Sequence, residues 1–373
     1  MRRQRFRSEP LAALTSLSQL GLALGLALGL TACGDAPRAD GYGLTLVELS
    51  LTTEAIAGLR QGAYTETPVA CRAEIDGARG RCQIRTAGST TRDDLKKNFD
   101  LEFPHEYAGR RRHRLSAMSG DPSGLRTLLA SSSFALAGLE GPEVEPVALW
   151  LNDEYLGLYL LLEPIDEEFF RARDDRAIAL YKARNLRASL EATHDLQSAF
   201  AERAGEANRS DLRALVENID QATRGAPHRL EELVDVAQVL RYMAGAHFIH
   251  NWDGIDNNYF LARSAREPRF RIVAWDLDQT FGSVLDPTGG ELFERNALFR
   301  LLYAARQPAY LGQLQRLNQL VTPEVVARLV QAFESAIREA YEHDPLLRGK
   351  PLAEQADAIE RRAEQQHAAI SEL

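Results

Sequence analysis

The sequence has no excess of basic residues. Its 44 Lys and Arg residues are outnumbered by 53 Asp and Glu residues, so the formal net charge is -9. A nucleic-acid-binding protein needs a basic patch or stripe on its surface. A short basic run, RRRHR at residues 110–114, does not supply one and is predicted to be a solvated loop. The charge balance therefore argues against a nucleic-acid partner.

Cysteine is scarce, with three residues in 373. The first of them, Cys33, follows a basic N-terminus and an apolar segment at residues 11–30, and Leu-Thr-Ala-Cys at residues 30–33 resembles a lipobox. We expect residues 1–32 to be a lipoprotein signal peptide, Cys33 to be acylated, and residues 33–44 to form a flexible tether. The alternative is that this segment is a membrane-spanning anchor. Its Ser, Thr, Gln and repeated Gly residues argue against that alternative, because they lower its hydrophobicity. The expected location is a bacterial cell envelope, on the extracytoplasmic side, with inner or outer membrane left open.

The other two cysteines, Cys71 and Cys82, flank the turn-rich stretch EIDGARGR between two strand-like runs. Asp76-Gly77 within it is a hairpin turn signal. Two free thiols in neighbouring strands are possible, but an oxidising compartment favours a bond between them. We therefore predict a disulfide across a hairpin.

The chain shows no internal repeat, and its 373 residues could form two ordinary domains or one large two-lobed enzyme. Residues 45–165 contain several strand-like runs and one helical pattern, DPSGLRTLLASSSFALAGL. From residue 166 helical patterns dominate, the clearest being RLEELVDVAQVLRYMAGAHFIH. After Gly282 the chain is predicted to be helical to its end, apart from a loop at DPTGGE, with a polar tail beyond Pro351. The sequence predicts an α+β protein with a mainly β N-terminal part and a mainly helical part at residues 166–373.

Two segments near residue 250 place acidic side chains at the edges of apolar runs. They are IHNWDGIDNNYFL (residues 249–261) and RIVAWDLDQTFG (residues 271–282), and the polar turn SAREP between YFLAR and FRIVAW predicts a β-hairpin. Asp253 and Asn258 have the spacing of a protein-kinase catalytic loop. Asp276 and Asp278 would face the same side of an extended strand, where two carboxylates suit Mg²⁺.

These segments resemble the CotH kinase family, whose pattern runs roughly N-x-D-x-x-x-x-N-Y and then W-D-x-D-x-T-F-G. Upstream, QIRTAGSTTRDDLKKNFDLEF and LNDEYLGLYLLLEPIDEEFF resemble two further family motifs in the same order. The resemblance implies a bilobal protein-kinase-like fold that binds ATP with Mg²⁺ or Mn²⁺. It also implies transfer of the γ-phosphoryl group to Ser or Thr of an unidentified secreted or envelope protein.

The resemblance also implies roles for individual residues. Asp253 would be the catalytic base or would orient the acceptor hydroxyl, and Asn258, Asp276 and Asp278 would bind the metal. Asn251 and Trp252 stand where ordinary kinases have His-Arg, a departure that agrees with the CotH pattern.

Six residues are candidates for binding ATP. Lys97 would share the buried face of its strand with Phe99, so it would need an anionic partner such as phosphate. Lys96 would face the other way as a surface lysine, although a shift of one residue would exchange the two. The remaining candidates are Arg85 in a glycine-poor phosphate loop, Arg126 in the N-terminal helix, Glu163 at the hinge, and Lys182 in ALYKARN, which could equally be a solvated lysine.

Two other classes of function compete with the kinase. VAWDLDQT also resembles the loop of haloacid-dehalogenase-like phosphatases, in which Asp276 would be a nucleophile. That fold requires further βα units after the motif, whereas the remaining residues look helical. A catalytically silent binding or adhesion module of kinase-like shape is the second alternative. The intact set of Asp253, Asn258 and Asp276 favours an enzyme.

We predict that the mature protein begins at an acylated Cys33, because Leu-Thr-Ala-Cys follows a basic and apolar leader. Intact-mass measurement of membrane-extracted protein should show loss of the first 32 residues and the added mass of acyl chains. Cys33→Ser should leave the leader uncleaved. A mature protein that retains residues 1–32 would contradict the prediction.

Overall fold

A computed structural model describes residues 40–61, 67–88, 91–107, 109–205, 209–226, 228–282 and 289–373, and Cys33 lies outside them. This part of the chain mixes strands and helices. The strands are β1 Thr45–Ser50, β2 Val69–Ile75, β3 Ala78–Ala87, β4 Asn98–Tyr107, β5 Arg110–Ser116, β6 Val144–Leu151, β7 Glu154–Leu162, β8 Ala177–Ala183, β9 Phe200–Ala204, β10 Tyr259–Ser264 and β11 Arg271–Ala274. The helices are α1 Thr53–Gln61, α2 Leu125–Leu136, α3 Glu167–Arg171, α4 Leu196–Ala199, α5 Ser210–Thr223, α6 Leu230–Leu233, α7 Val236–Phe248, α8 Gly290–Phe293, α9 Ala297–Leu320, α10 Pro323–His343 and α11 Leu352–Ser371.

The first seven strands form a closed barrel in the order β1-β2-β3-β4-β5-β7-β6. β1 and β6 pair in parallel and close the barrel, while the other neighbours are antiparallel. Side chains alternate along each strand, so that Phe99, Leu101 and Phe103 of β4 fill the barrel interior. Asp100 therefore lies on the outer face of the barrel.

The basic run RRRHR is part of strand β5, so the prediction of a solvated loop was wrong. His113 and Leu115 are buried, and the arginines that alternate with them point outwards. Arg114 forms an ion pair with Asp100, and Arg112 forms one with Asp166. The alternation of the side chains, and not the density of charge, determines the structure of this segment.

A second, four-stranded sheet has the order β11-β10-β8-β9 and is antiparallel throughout. The predicted hairpin of β10 and β11 is confirmed, with Tyr259 opposite Ala274, whereas β8 and β9 were not predicted. One face of the sheet packs on the main helical core, and the other, with Phe260 and Trp275, packs against α3. An antiparallel sheet at this motif does not fit the parallel sheet that the phosphatase fold requires.

The helical part differs from the sequence-based prediction at two places. The long helix predicted around residues 229–250 is divided into α6 and α7, because the Asp235 side chain accepts a hydrogen bond from the Gln238 amide (3.2 Å) and starts a new helix. The segment beyond Pro351, predicted to be helical and polar, is helix α11, but its Ile359, Ala363 and Ile370 are buried against the other helices. The N-terminal part also contains α1, which was not predicted.

The described helices include none that combines the length and the apolar character needed to cross a lipid bilayer.

The predicted disulfide joins Cys71 of β2 to Cys82 of β3, which face each other with their Cα atoms 4.9 Å apart. We expect the double variant Cys71→Ala/Cys82→Ala to lose roughly 2–4 kcal/mol of unfolding free energy, because the cross-link restricts the unfolded chain. Urea denaturation with and without reductant measures the loss, and the variant should not respond to reductant. Peptide mapping that finds both thiols free in oxidised material would contradict the prediction.

Candidate active site

The loop after helix α7 carries Asp253 in a single turn of 3-10 helix, Trp252–Gly254. Both oxygens of the Asp253 carboxylate accept hydrogen bonds from side-chain amides. Asn258 Nδ2 donates to Oδ2 (2.7 Å), and Asn257 Nδ2 donates to Oδ1 (3.3 Å). Because the Asn258 Nδ2 donates to Asp253, the amide has a fixed orientation, and its Oδ1 remains available as an acceptor or metal ligand. The predicted pairing of Asp253 with Asn258 is therefore present.

The loop that carries Asp276 is hydrogen-bonded to the Asp253 loop. The Trp275 amide donates to the Asn258 carbonyl (3.3 Å), and the Phe281 amide donates to the Ile249 carbonyl (2.7 Å). Asp276 has a left-handed backbone (φ 58°) just beyond the end of β11. Asp276 and Asp278 thus occupy a turn, and the prediction that they share one face of an extended strand was wrong.

The electrostatics of this turn are dominated by carboxylates. Asp276 is exposed, yet the protein packed around its carboxyl desolvates it and raises its pKa, with a smaller rise from Asp253. Burial raises the pKa of Asp278 to about 7, helped by the charges of Asp276 and of the buried Asp121. The pKa of Asp121 itself rises to about 6 because it is buried beneath the start of α2. A cation among these groups would stabilise their ionised forms.

The donor set fits a hard divalent cation, since it consists of carboxylate oxygens and one amide oxygen. Within the described residues, no three His, Cys, Asp or Glu side chains come together as a metal site. Mg²⁺ typically takes one or two carboxylates and completes its shell with water and phosphate oxygens. Asp276, Asp278 and the Oδ1 of Asn258 could supply the protein ligands of such an ion.

Cationic side chains face Asp276 from two directions. Lys182 of β8 lies opposite Phe260 in the sheet, with its ammonium 5.1 Å from the centre of the Trp275 ring. Arg114 of β5 approaches the same ring at 5.8 Å from the barrel side. Both charges act to lower the pKa of Asp276. Sequence reasoning missed Arg114, although the alternation in RRRHRLS was a signal for it.

Lys182 is shielded enough that burial lowers its pKa to about 8, with a further contribution from Arg114. Arg85, the other candidate on this side of the barrel, shares the Asp100 carboxylate with Arg114. The structure therefore places Lys182 beside Trp275 and near Asp276, and Arg85 beside Asp100, which it shares with Arg114.

The two lysines before β4 have other partners. Both precede the strand, so neither lies on its buried face as predicted for Lys97. The Lys97 ammonium donates to the Arg92 carbonyl. Lys96, predicted to be a surface lysine, is nearly buried and forms an ion pair with Asp344 (2.8 Å). Its environment was wrongly predicted because its partner lies about 250 residues away in the sequence.

Glu163, predicted to meet the ribose, is buried at the end of β7. It pairs with Arg110 and Arg173, each at 2.8 Å. Burial acts to raise its pKa, but the hydrogen bonds and charge of Arg173, followed by Arg110, hold the pKa below its usual value. Its carboxylate is thus engaged in an ion-pair network.

Arg126, predicted to contact phosphate, lies in the first turn of α2 and lines a pocket with Glu354 and Ile359 of α11.

The family described as CotH kinase protein matches residues 84–370, which confirms the resemblance seen in the motifs. The chain belongs to this family. Over 251 residues it is 28% identical to inner spore coat protein H of Bacillus subtilis (strain 168), a match that covers 64% of this chain and 69% of that protein.

Two solved structures show weaker likeness. The crystal structure of the Helicobacter pylori proinflammatory kinase CtkA has a TM-score of 0.35 and 10% identity, covering 74% of this chain and 95% of that one. The Shewanella oneidensis toxin–antitoxin complex of HipA and HipB with operator DNA has a TM-score of 0.32 and 13% identity, covering 78% and 65%.

We predict that Lys96→Met destabilises the fold by about 3–5 kcal/mol, because it leaves the buried Asp344 carboxylate without its cation. Lys97→Met is the matched control and should cost under about 1 kcal/mol, since the Lys97 ammonium bonds only to a backbone carbonyl. Chemical denaturation of both variants measures the difference. Equal losses would contradict the assignment of the ion pair to Lys96.

Proposed function

We propose that this CotH family member is a kinase that transfers the γ-phosphoryl group of ATP to a Ser or Thr hydroxyl of a secreted or envelope protein. The observation that carries the proposal is the pairing of Asp253 with Asn258 on a loop that is hydrogen-bonded to the loop of Asp276. Membership of the CotH kinase family supports it. We propose a two-lobed arrangement in which the barrel is the small lobe and the reaction occurs between the lobes.

Asp253 would orient the acceptor hydroxyl and accept its proton. The amide donors of Asn257 and Asn258 hold the carboxylate in one orientation, which is what a positioned base requires. Such positioning, together with stabilisation of charge, is the main contribution that a protein makes to phosphoryl transfer.

Mg²⁺ or Mn²⁺ would be held by Asp276 and Asp278, with the Oδ1 of Asn258 as a third ligand. When bound, the metal would neutralise charge on the phosphate oxygens. The raised pKa values of the two carboxyls support this assignment, because they come mainly from desolvation and, for Asp278, from neighbouring carboxylates, and a bound cation would offset both costs.

The lipobox-like sequence before Cys33 supports a location on the extracytoplasmic side of a bacterial membrane, through a lipid anchor. The protein substrate would then be a secreted or envelope protein.

We predict that Asp276→Asn abolishes metal-dependent ATP binding and phosphoryl transfer together, because the substitution removes a metal-binding charge. Asp253→Asn should retain ATP binding and reduce transfer by roughly 10²–10⁴-fold, the usual contribution of a positioned general base. Thermal shift with Mg–ATP measures binding, and incorporation of labelled γ-phosphate into the purified domain measures transfer.

Asp153→Asn is a matched control, because Asp153 is exposed and also has a left-handed backbone (φ 66°). It should change neither readout. Phosphorylation of Asp276 itself by a monoester, without ATP, would instead indicate a phosphatase. The absence of any Mg–ATP thermal shift in the unsubstituted protein would indicate a binding module.

A further inference from the structure

Trp252 is the most exposed of the three tryptophans in the chain. Its side chain is 41% exposed, whereas Trp150 and Trp275 are buried. It directly precedes Asp253 in the single 3-10 turn Trp252–Gly254. Its other neighbour, Asn251, is fully buried. The indole therefore lies at the surface, one residue away from the carboxylate that would orient the acceptor hydroxyl.

Hydrogen bonds to helix α7 fix the backbone of this turn. The Asn251 amide donates to the Ala246 carbonyl near the end of the helix (2.7 Å), and the Asn251 side chain accepts from the Gly254 amide (3.1 Å). The buried Tyr242 hydroxyl of α7 donates to the Gly254 carbonyl (2.7 Å). The turn thus has few alternative arrangements, and the backbone of Trp252 has a defined position.

Arg295 orders the side chain of Trp252. Its guanidinium lies 5.6 Å from the centre of the indole ring and donates to the Trp252 carbonyl (2.9 Å). Two further hydrogen bonds join the same guanidinium to the buried Asp256 carboxylate (2.6 and 3.2 Å). A guanidinium placed over an aromatic ring attracts it. One part of the indole is therefore covered by a cation whose charge is already paired, and the rest is exposed.

An indole that is both ordered and exposed is suited to binding. Tryptophan offers a large and rigid apolar surface, and it is enriched among the residues that dominate the energy of protein interfaces. Because Arg295 and the turn already restrict Trp252, little conformational entropy remains to be lost when a ligand covers the ring. Single exposed apolar residues are common on protein surfaces. This one differs from them by its order and by its position beside Asp253.

The position of Trp252 indicates which part of a substrate would cover the indole. Consecutive Cα atoms are about 3.8 Å apart, and an extended peptide advances by about 3.3 Å per residue. A peptide whose hydroxyl lies at Asp253 therefore brings the residues directly before and after that hydroxyl within reach of Trp252. The nearby charge of Arg295 is paired with Asp256, so the exposed ring offers burial of apolar area.

We propose that Trp252 is a specificity-determining residue, which selects acceptor proteins that have an apolar side chain next to the phosphorylated Ser or Thr. The inference rests on the proposed kinase function and deepens it, because it assigns the class of acceptor sequence. The indole contacts the acceptor and not the nucleotide. It therefore affects the affinity for the acceptor and leaves the affinity for ATP unchanged.

The test uses short synthetic peptides in which one Ser is flanked on both sides by Leu, Ala, Lys or Glu. Transfer of labelled γ-phosphate from Mg–ATP gives kcat and KM for the unsubstituted protein and for Trp252→Ala, Trp252→Phe and Leu320→Ala. Leu320→Ala is the matched control, because Leu320 is a similarly exposed apolar residue (44%) at the end of α9 that is far from Arg295.

We expect the KM of the unsubstituted protein for the Leu-flanked peptide to be about tenfold below that for the Ala-flanked peptide, as for a contact at the centre of an interface. Trp252→Ala should remove this preference, and Trp252→Phe should retain most of it. Leu320→Ala should resemble the unsubstituted protein, and the KM for ATP should be the same in all four proteins.

A second readout needs no phosphoryl transfer. Because Trp252 is exposed and the other two tryptophans are buried, acrylamide should quench the fluorescence of Trp252 most readily. A saturating Leu-flanked peptide with Ala in place of the acceptor Ser should reduce this quenching. Trp252→Phe should show no such change on addition of the peptide, which identifies Trp252 as the source of the signal.

The outcomes separate the inference from the proposed function. If peptides are phosphorylated without a preference for Leu, or if the preference persists in Trp252→Ala, the assignment of Trp252 is wrong and the kinase proposal stands. A preference for Lys or Glu that depends on Trp252 would overturn the apolar class. If the Leu-flanked peptide reduces quenching but no peptide is phosphorylated, the apolar contact is supported and the kinase proposal fails. The absence of both effects would overturn both.

Discussion

The buried carboxylate of Asp344 connects the C-terminal helices to the barrel. It lies just after α10, accepts a hydrogen bond from the Leu158 amide of β7 (2.9 Å) and pairs with Lys96 at the start of β4. Gly157 (φ 122°) permits this approach, because a Cβ there would lie 2.1 Å from the carboxylate. A buried charge with this many partners has few alternative arrangements, so it holds the barrel in one position against the helices. Arg114 on the outer face of the barrel then lies beside the Trp275 ring.

Where the barrel meets the four-stranded sheet, charges of like sign lie close together. Asp276 and Asp278 follow β11, whereas Arg114 of β5 and Lys182 of β8 both lie beside the Trp275 ring. Asp100 pairs with Arg85 and Arg114 on the barrel itself, and Asp253 accepts hydrogen bonds from Asn257 and Asn258 of its own loop, so these contacts do not join the two groups. Natural proteins keep such unfavourable arrangements mainly where a ligand completes them.

Local sequence was enough to predict the centre of the site. The Asp253 and Asn258 spacing, the hairpin of β10 and β11, and the position of Asp276 each depend on a short consecutive segment, where turn and strand preferences are strong. Most strands of the barrel were also predicted, because alternating burial produces a period of two. Strand β5 was wrongly predicted, since four arginines obscured that period, and the burial of α11 was missed because its apolar stripe is narrow.

The sequence by itself determined the family, the α+β composition, the pairing of Asp253 with Asn258 and the position of the disulfide, because short-range spacing encodes all of these. Only the tertiary structure decided the partners of the basic residues. Lys96 pairs with Asp344 about 250 residues later in the chain, and Arg114 and Lys182 reach the Trp275 ring from two separate sheets. Which charges meet depends on how whole sheets pack, and single-sequence patterns contain little information about contacts of such long range.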